Sequence, residues 1–198
     1  MQLKTLLTPA LAAAMLAFTG GNLHAQVAPA ATVGGLPISI SVGMSDYNLD
    51  YGSGRRMQGA VVRGGWSVFH GLGVDGDVRS IFMNTPAPIS RMQQSTFLGG
   101  VFYEAPPIWR IRPFVRMGGG VGLIEFPSRN PFYSRDTFSV YAPSGGFEFP
   151  ITDRLCFRAE YEYQFWEQFH GPHDLTPQGG TVGVSYYFQG RRLRPHRD

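Results

Sequence analysis

The sequence predicts an all-β protein: a single eight-stranded antiparallel up-and-down barrel. Three observations predict it. Residues alternate with period 2 in about eight segments, the connections between those segments alternate short and long, and the composition is rich in glycine and aromatics but poor in charge. Gly accounts for 26 of 198 residues, and aromatics for 14% against 16% charged. Soluble domains typically carry about 25% charged residues.

The clearest segment is Thr181–Phe188. Val182, Val184, Tyr186 and Phe188 share one face, and Thr181, Gly183, Ser185 and Tyr187 the other, because successive strand side chains point to opposite sides. The same reading predicts strands at 37–47, 57–69, 72–83, 92–104, 112–125, 137–149, 154–166 and 179–188. Ordinary globular strands have a mode of about 5–6 residues, whereas a tilted strand crossing a bilayer needs about 9–11. The lengths therefore favour a transmembrane barrel, closed because lipid cannot satisfy an open sheet edge. A mean hydropathy of −0.11 is compatible, since alternation hides hydrophobicity from an averaging window.

The connections follow the same logic. Those after the second, fourth and sixth strands are tight: His70-Gly71, Ala105 to Arg110, and Pro150-Ile-Thr-Asp153. Those after the first, third, fifth and seventh are longer and polar: Asn48 to Arg56, Asn84 to Arg91, Phe126 to Asp136, and Glu167 to Gln178. Short turns on one rim and long loops on the other characterise barrels that span a bilayer.

One face of the strands gathers the charge. Arg158, Glu160, Glu162 and Gln164 alternate with Phe157, Ala159, Tyr161 and Tyr163. Extended to the other strands, the alternation gives a charged face of Arg63, Asp75, Asp77, Arg79, Arg112, Arg116, Glu148, Arg158, Glu160 and Glu162, five bases and five acids. An eight-stranded barrel is just wide enough for side chains to fill it, so a packed ion-pair lumen is expected. Alternation shows that two faces differ, not which is inside, and a soluble lipocalin-like binder has the same pattern inverted. Strand length, the terminal Phe188, and aromatics near strand ends (Tyr47, Phe69, Tyr103, Phe126, Phe149, Phe165 and Phe188) favour the membrane barrel, with the aromatics as interfacial girdles.

Four segments are expected. Residues 1–25 read as a cleaved signal peptide, with Lys4, an apolar stretch from Leu6 to Phe18, and Leu23-His24-Ala25 before Gln26. Residues 26–36 form a linker, 37–188 the barrel, and 189–198 a basic tail. From Gln26 to Phe188 there are 12 Arg against 13 acids, a net of −1, so the formal +3 comes from the ends. A balanced body with a basic tail is not a nucleic-acid face. A single cysteine, Cys156, leaves no intramolecular disulfide framework.

With these residues in view, the chain resembles the small outer-membrane β-barrel family of the OmpA/OmpX type. The closest stretch is Ser144-Gly-Gly-Phe-Glu-Phe-Pro-Ile-Thr-Asp-Arg-Leu-Cys-Phe-Arg-Ala-Glu-Tyr-Glu-Tyr163. It is similar to the family's hairpin of Gly-rich strand, short turn and Arg-x-Glu-Tyr strand. Arg112-Pro-Phe-Val-Arg-Met-Gly-Gly-Gly-Val-Gly122 is similar to its Pro-aromatic strand with glycines. The resemblance covers 35–188 and implies an outer-membrane location among lipids and lipopolysaccharide. It also implies recognition of the last strand (Val182, Val184, Tyr186, Phe188) by the barrel-assembly machinery. Ten residues follow Phe188, whereas many members end on the aromatic, so either the signal is internal here or the last strand lies elsewhere.

No enzyme is expected. Lipid-A deacylase barrels carry His-x-Ser, which this chain lacks, and a hydrolase needs a nucleophile beside an oriented base. His170-Gly-Pro-His173-Asp174 offers two His and an Asp in a loop, below the three or four ligands of a specific metal site, so no metal or cofactor is expected. Arg55, Arg56, Arg129 and Arg135 in the long connections could meet phosphates bidentately, the surface ligand being unknown. The expected role is structural or interactional. The alternatives are a narrow porin-like channel and a soluble periplasmic lipocalin-like binder.

Overall fold

The computed structural model describes residues 37–49, 56–83, 92–125, 135–167 and 175–189. The expected signal peptide, the whole of the linker, and the tail beyond Gln189 lie outside them, as do Phe126, His170 and His173. The strands are β1 (Ile38–Asn48), β2 (Arg56–Phe69), β3 (Leu72–Met83), β4 (Gln93–Glu104) and β5 (Arg112–Glu125). They continue with β6 (Arg135–Pro150), β7 (Leu155–Tyr163), β8 (Phe165–Trp166) and β9 (Gln178–Tyr187).

Every pairing is antiparallel. Sequence neighbours pair from β1 to β7, β7 pairs with β9, and β9 returns to β1, so the sheet closes on itself. Both β7 and β8 pair with β6 in one continuous register, Ser144↔Glu162 and Tyr141↔Phe165. They are two parts of one stave, which gives eight staves. The sequence predicts this stave unbroken over 154–166. It is interrupted at Gln164, just after Tyr163, which the register sets opposite Pro143 of β6, and proline has no N–H to give the ladder.

The tight turn after β2 uses left-handed backbone at His70 (φ 42°) and Gly71 (φ 87°). A Cβ on Gly71 would also stand 2.3 Å from the Glu104 carbonyl oxygen, so glycine is required twice over.

The faces separate as the alternation requires, and the apolar one is outside. Val42, Met44, Val62, Trp66, Val101, Val115, Met117 and Tyr161 are exposed on the outer wall, while Arg63, Asp77, Arg79, Arg116, Glu160 and Glu162 are buried in the lumen. Phe69, Tyr103, Phe149, Phe165 and Phe188 stand outward near strand ends. Tyr47 departs from the expected girdle. It is fully buried and turns inward, because its phenol donates to the Glu162 carboxylate at 2.9 Å.

Candidate functional site

The lumen is the candidate site, and it has two layers. The layer nearer the short turns is ionic, built by alternate residues of β2, β3, β5, β6 and β7 pointing inward. Arg63 of β2 donates from both Nη atoms to Glu160 of β7, with Nη2–Oε1 at 3.1 Å. Its guanidinium also lies 3.6 Å from Asp77 and 3.9 Å from Asp75. Arg116 of β5 faces the same two aspartates, with Nε 2.8 Å from Asp75 and Nη2 2.5 Å from Asp77, and approaches Glu162 at 3.5 Å. Arg79 of β3 donates to Glu162 at 2.5 and 3.4 Å. Arg158 of β7 bridges Glu148 and Glu160, each at 3.1 Å, while its guanidinium sits 3.7 Å above the Phe114 ring.

Neutral donors add to three of these carboxylates, Glu148, Glu160 and Glu162. Tyr187 donates to Glu148 at 2.6–2.7 Å, Ser144 to Glu160 at 2.7 Å, and Gln164 to Glu162 at 2.6 Å. Arg112 is half-buried near the rim, opposite Glu148 in the β5–β6 register. Five carboxylates are thus held by arginines from four staves. A charge this deep is tolerated only when paired and hydrogen-bonded, and the planar arginine fork serves two partners at once.

The layer nearer the long loops is apolar. Tyr47, Leu49, Met57, Ile81, Met83, Met92, Leu98, Ile124, Phe138, Val140, Ala142, Trp166 and Leu175 form one buried cluster. Trp166 is its largest fully buried side chain, with the Phe138 ring centroid 6.1 Å away. Its indole needs the bare backbone of Gly122, where a Cβ would come within 2.2 Å of the ring. Gln164 joins the two layers. Its carbonyl accepts from Trp166 Nε1 at 2.9 Å and from Gln94 at 3.2 Å, while its amide donates down to Glu162.

The sequence reading did not include the apolar layer. Trp166 was findable, since it continues the inward row Glu160, Glu162, Gln164 by one step of two. Cys156 is buried and unbonded by disulfide. Among the described residues no group of three His, Cys, Asp or Glu side chains is disposed to hold a metal ion.

The remaining candidates lie elsewhere. Val182, Val184, Tyr186 and Phe188 stand on the outer wall. Arg56 sits at the long-loop rim, paired in a fork with Asp46 at 3.0 and 2.6 Å, and is exposed. Arg135 opens β6 opposite Glu125; Arg55 and Arg129 lie outside the described residues.

A closed eight-stave barrel with a charged, filled interior and an apolar exterior is the fold of small outer-membrane β-barrel proteins. Among solved structures, Neisserial surface protein A matches with a TM-score of 0.60 at 12% identity, over 76% of this chain and 96% of that one. Ail, the attachment invasion locus protein of Yersinia pestis, matches with a TM-score of 0.52 at 18% identity, over 78% of this chain and 99% of that one. A second structure of Ail, in complex with the heparin analogue sucrose octasulfate, matches with a TM-score of 0.51 at 17% identity, over 76% of this chain and 96% of that one. No protein-family model matches the chain, and no curated protein matches it in sequence.

Proposed function

We propose that this is an outer-membrane protein whose barrel is a sealed, non-conducting scaffold, with a structural or surface-interaction role carried by its long loops. The observation that supports this best is the doubly filled lumen: an ion-paired layer below a packed apolar one, with Trp166 fully buried between staves. The apolar wall supports the membrane placement. Full burial of an apolar side chain gains about 1.5–3 kcal/mol, and half-exposed side chains such as Val62, Trp66, Val101 and Val115 would forgo a large part of it in water, a cost that lipid removes.

Under this reading the outer wall meets membrane lipid and the last strand, through Val182, Val184, Tyr186 and Phe188, meets the assembly machinery. Arg56, with Arg55, Arg129 and Arg135 of the long connections, offers guanidinium groups to anionic surface partners such as lipopolysaccharide phosphates. The role requires no cofactor and no catalysis. A porin-like channel is disfavoured because a path through the lumen must cross both layers. A soluble lipocalin-like binder is disfavoured because its apolar face would line the interior.

Two measurements test the proposal. Cold, detergent-folded protein from the outer-membrane fraction should migrate differently from boiled protein on a gel. The same protein in a planar bilayer should add no conductance above baseline. Steady ohmic conductance would refute the sealed scaffold, and a soluble periplasmic band without a heat shift would refute the membrane placement.

A further inference from the structure

The ladder of β4 and β5 continues past the level at which the neighbouring β2–β3 turn closes. Ala105 N–H donates to the Pro113 carbonyl at 2.9 Å, and Ile108 and Ile111 exchange backbone hydrogen bonds of 2.9 and 3.1 Å. The adjacent β2–β3 turn closes at His70-Gly71, where the Gly71 carbonyl accepts from Glu104 N–H at 2.7 Å. The β4–β5 turn therefore overhangs its neighbour by residues 105–111, stiffened by Pro106 and Pro107.

The tip is apolar and uncovered. Trp109 is 95% exposed, Ile108 65% and Ile111 44%. Trp109 also sits at φ 60°, a left-handed conformation that strains a bulky side chain. The direction of the overhang is set by Arg110, whose guanidinium lies 5.7 Å over the ring of Phe149. Phe149 belongs to the outer wall, opposite Phe157 in the β6–β7 register. The turn thus leans over the wall rather than across the lumen mouth, and Ile111 prolongs the outward row of Pro113, Val115 and Met117.

We propose that this turn is an interfacial foot. Trp109, Ile108 and Ile111 lie in the headgroup layer of the inner, phospholipid leaflet, with Arg110 placed to meet lipid phosphate. Indole, an apolar body with one N–H, settles at membrane–water interfaces. The patch is continuous with the lipid-facing wall, and its one cation matches the anionic surface beside it. A rigid foot on one side of the rim fixes the depth and tilt of the barrel, which interfacial anchors set.

The inference rests on the membrane placement proposed above, and Trp66, exposed on the outer wall, separates the two. The full chain is refolded into phosphatidylglycerol-containing vesicles whose lipids carry bromine either near the headgroup end of the acyl chain or deep within it. Trp66→Phe, Trp109→Phe and the double variant isolate each indole, with lumen-bound Trp166 as the constant background. Trp109 should lose most of its emission to shallow bromine, lose less to deep bromine, and resist aqueous iodide. Quenching of Trp66 by bromine with Trp109 open to iodide overturns the foot and leaves the membrane placement standing. If bromine reaches neither, both fail. Should Trp109→Phe lose its heat-shifted band, the Trp66→Phe protein alone still reads Trp109 against iodide, because Trp166 is buried.

Discussion

The two layers of the lumen solve the same problem, filling a narrow barrel, by opposite means. The ionic layer reaches across the interior with long directional groups: Arg63 of β2 meets Glu160 of β7, and Arg116 of β5 meets Asp75 and Asp77 of β3. It gains little net stability, since desolvating the charges offsets their attraction, yet losing one partner strands another. The apolar layer is built from many non-directional contacts around Trp166 and depends on volume. One half of the lumen is therefore sensitive to charge and the other to shape.

Experiments that break this contrast rank by size. Glu162→Ala leaves Arg79 without its closest carboxylate and Tyr47 and Gln164 without an acceptor. It should cost about 3–5 kcal/mol, read by urea unfolding in lipid vesicles. Trp166→Ala should cost a similar but cavity-dependent amount, about 3–5 kcal/mol, and Trp166→Phe less. Gly122→Ala drives a methyl at the indole and should cost about 1–3 kcal/mol by overpacking. Arg56→Ala, at an exposed rim pair with Asp46, should leave the unfolding midpoint unchanged, because such pairs are weak and screened.

Conductance sharpens the comparison further. If both layers seal independently, Arg158→Ala and Trp166→Ala should each stay at baseline and the double variant should conduct. Conductance from Arg158→Ala alone would show that the apolar layer is no seal.

The strand ends were legible to within about two residues, because alternation asks only for residue type. Alternation alone left the facing open, since the same pattern serves a barrel turned inside out; strand length, Phe188 and the aromatics near strand ends pointed to charge inside, and the burial of Arg79 and Glu162 against the exposure of Val62 and Met117 agrees. The apolar layer was hidden because both faces are apolar near the long loops. Ile81-Phe82-Met83 and Leu123-Ile124 have no polar partner to mark a side. The break at Gln164 was illegible for another reason: it follows Tyr163, which faces Pro143, a residue on a neighbouring strand whose register no local pattern reveals. Which arginine meets which acid was likewise a matter of stagger between distant staves.

The seam between β1 and β9 carries a different lesson, about time. Ser39↔Tyr187 through Asn48↔Gln178 join the first strand of the barrel to its last, and no earlier strand can stand in for either. A chain stopped short of Gln178 is not a smaller barrel. It is a ribbon with two raw margins of unpaired backbone, unable to enter lipid. Synthesis must therefore finish before insertion can, and a truncated copy should remain in the periplasm as a substrate for proteases. The seam makes completeness of the chain a condition of arrival.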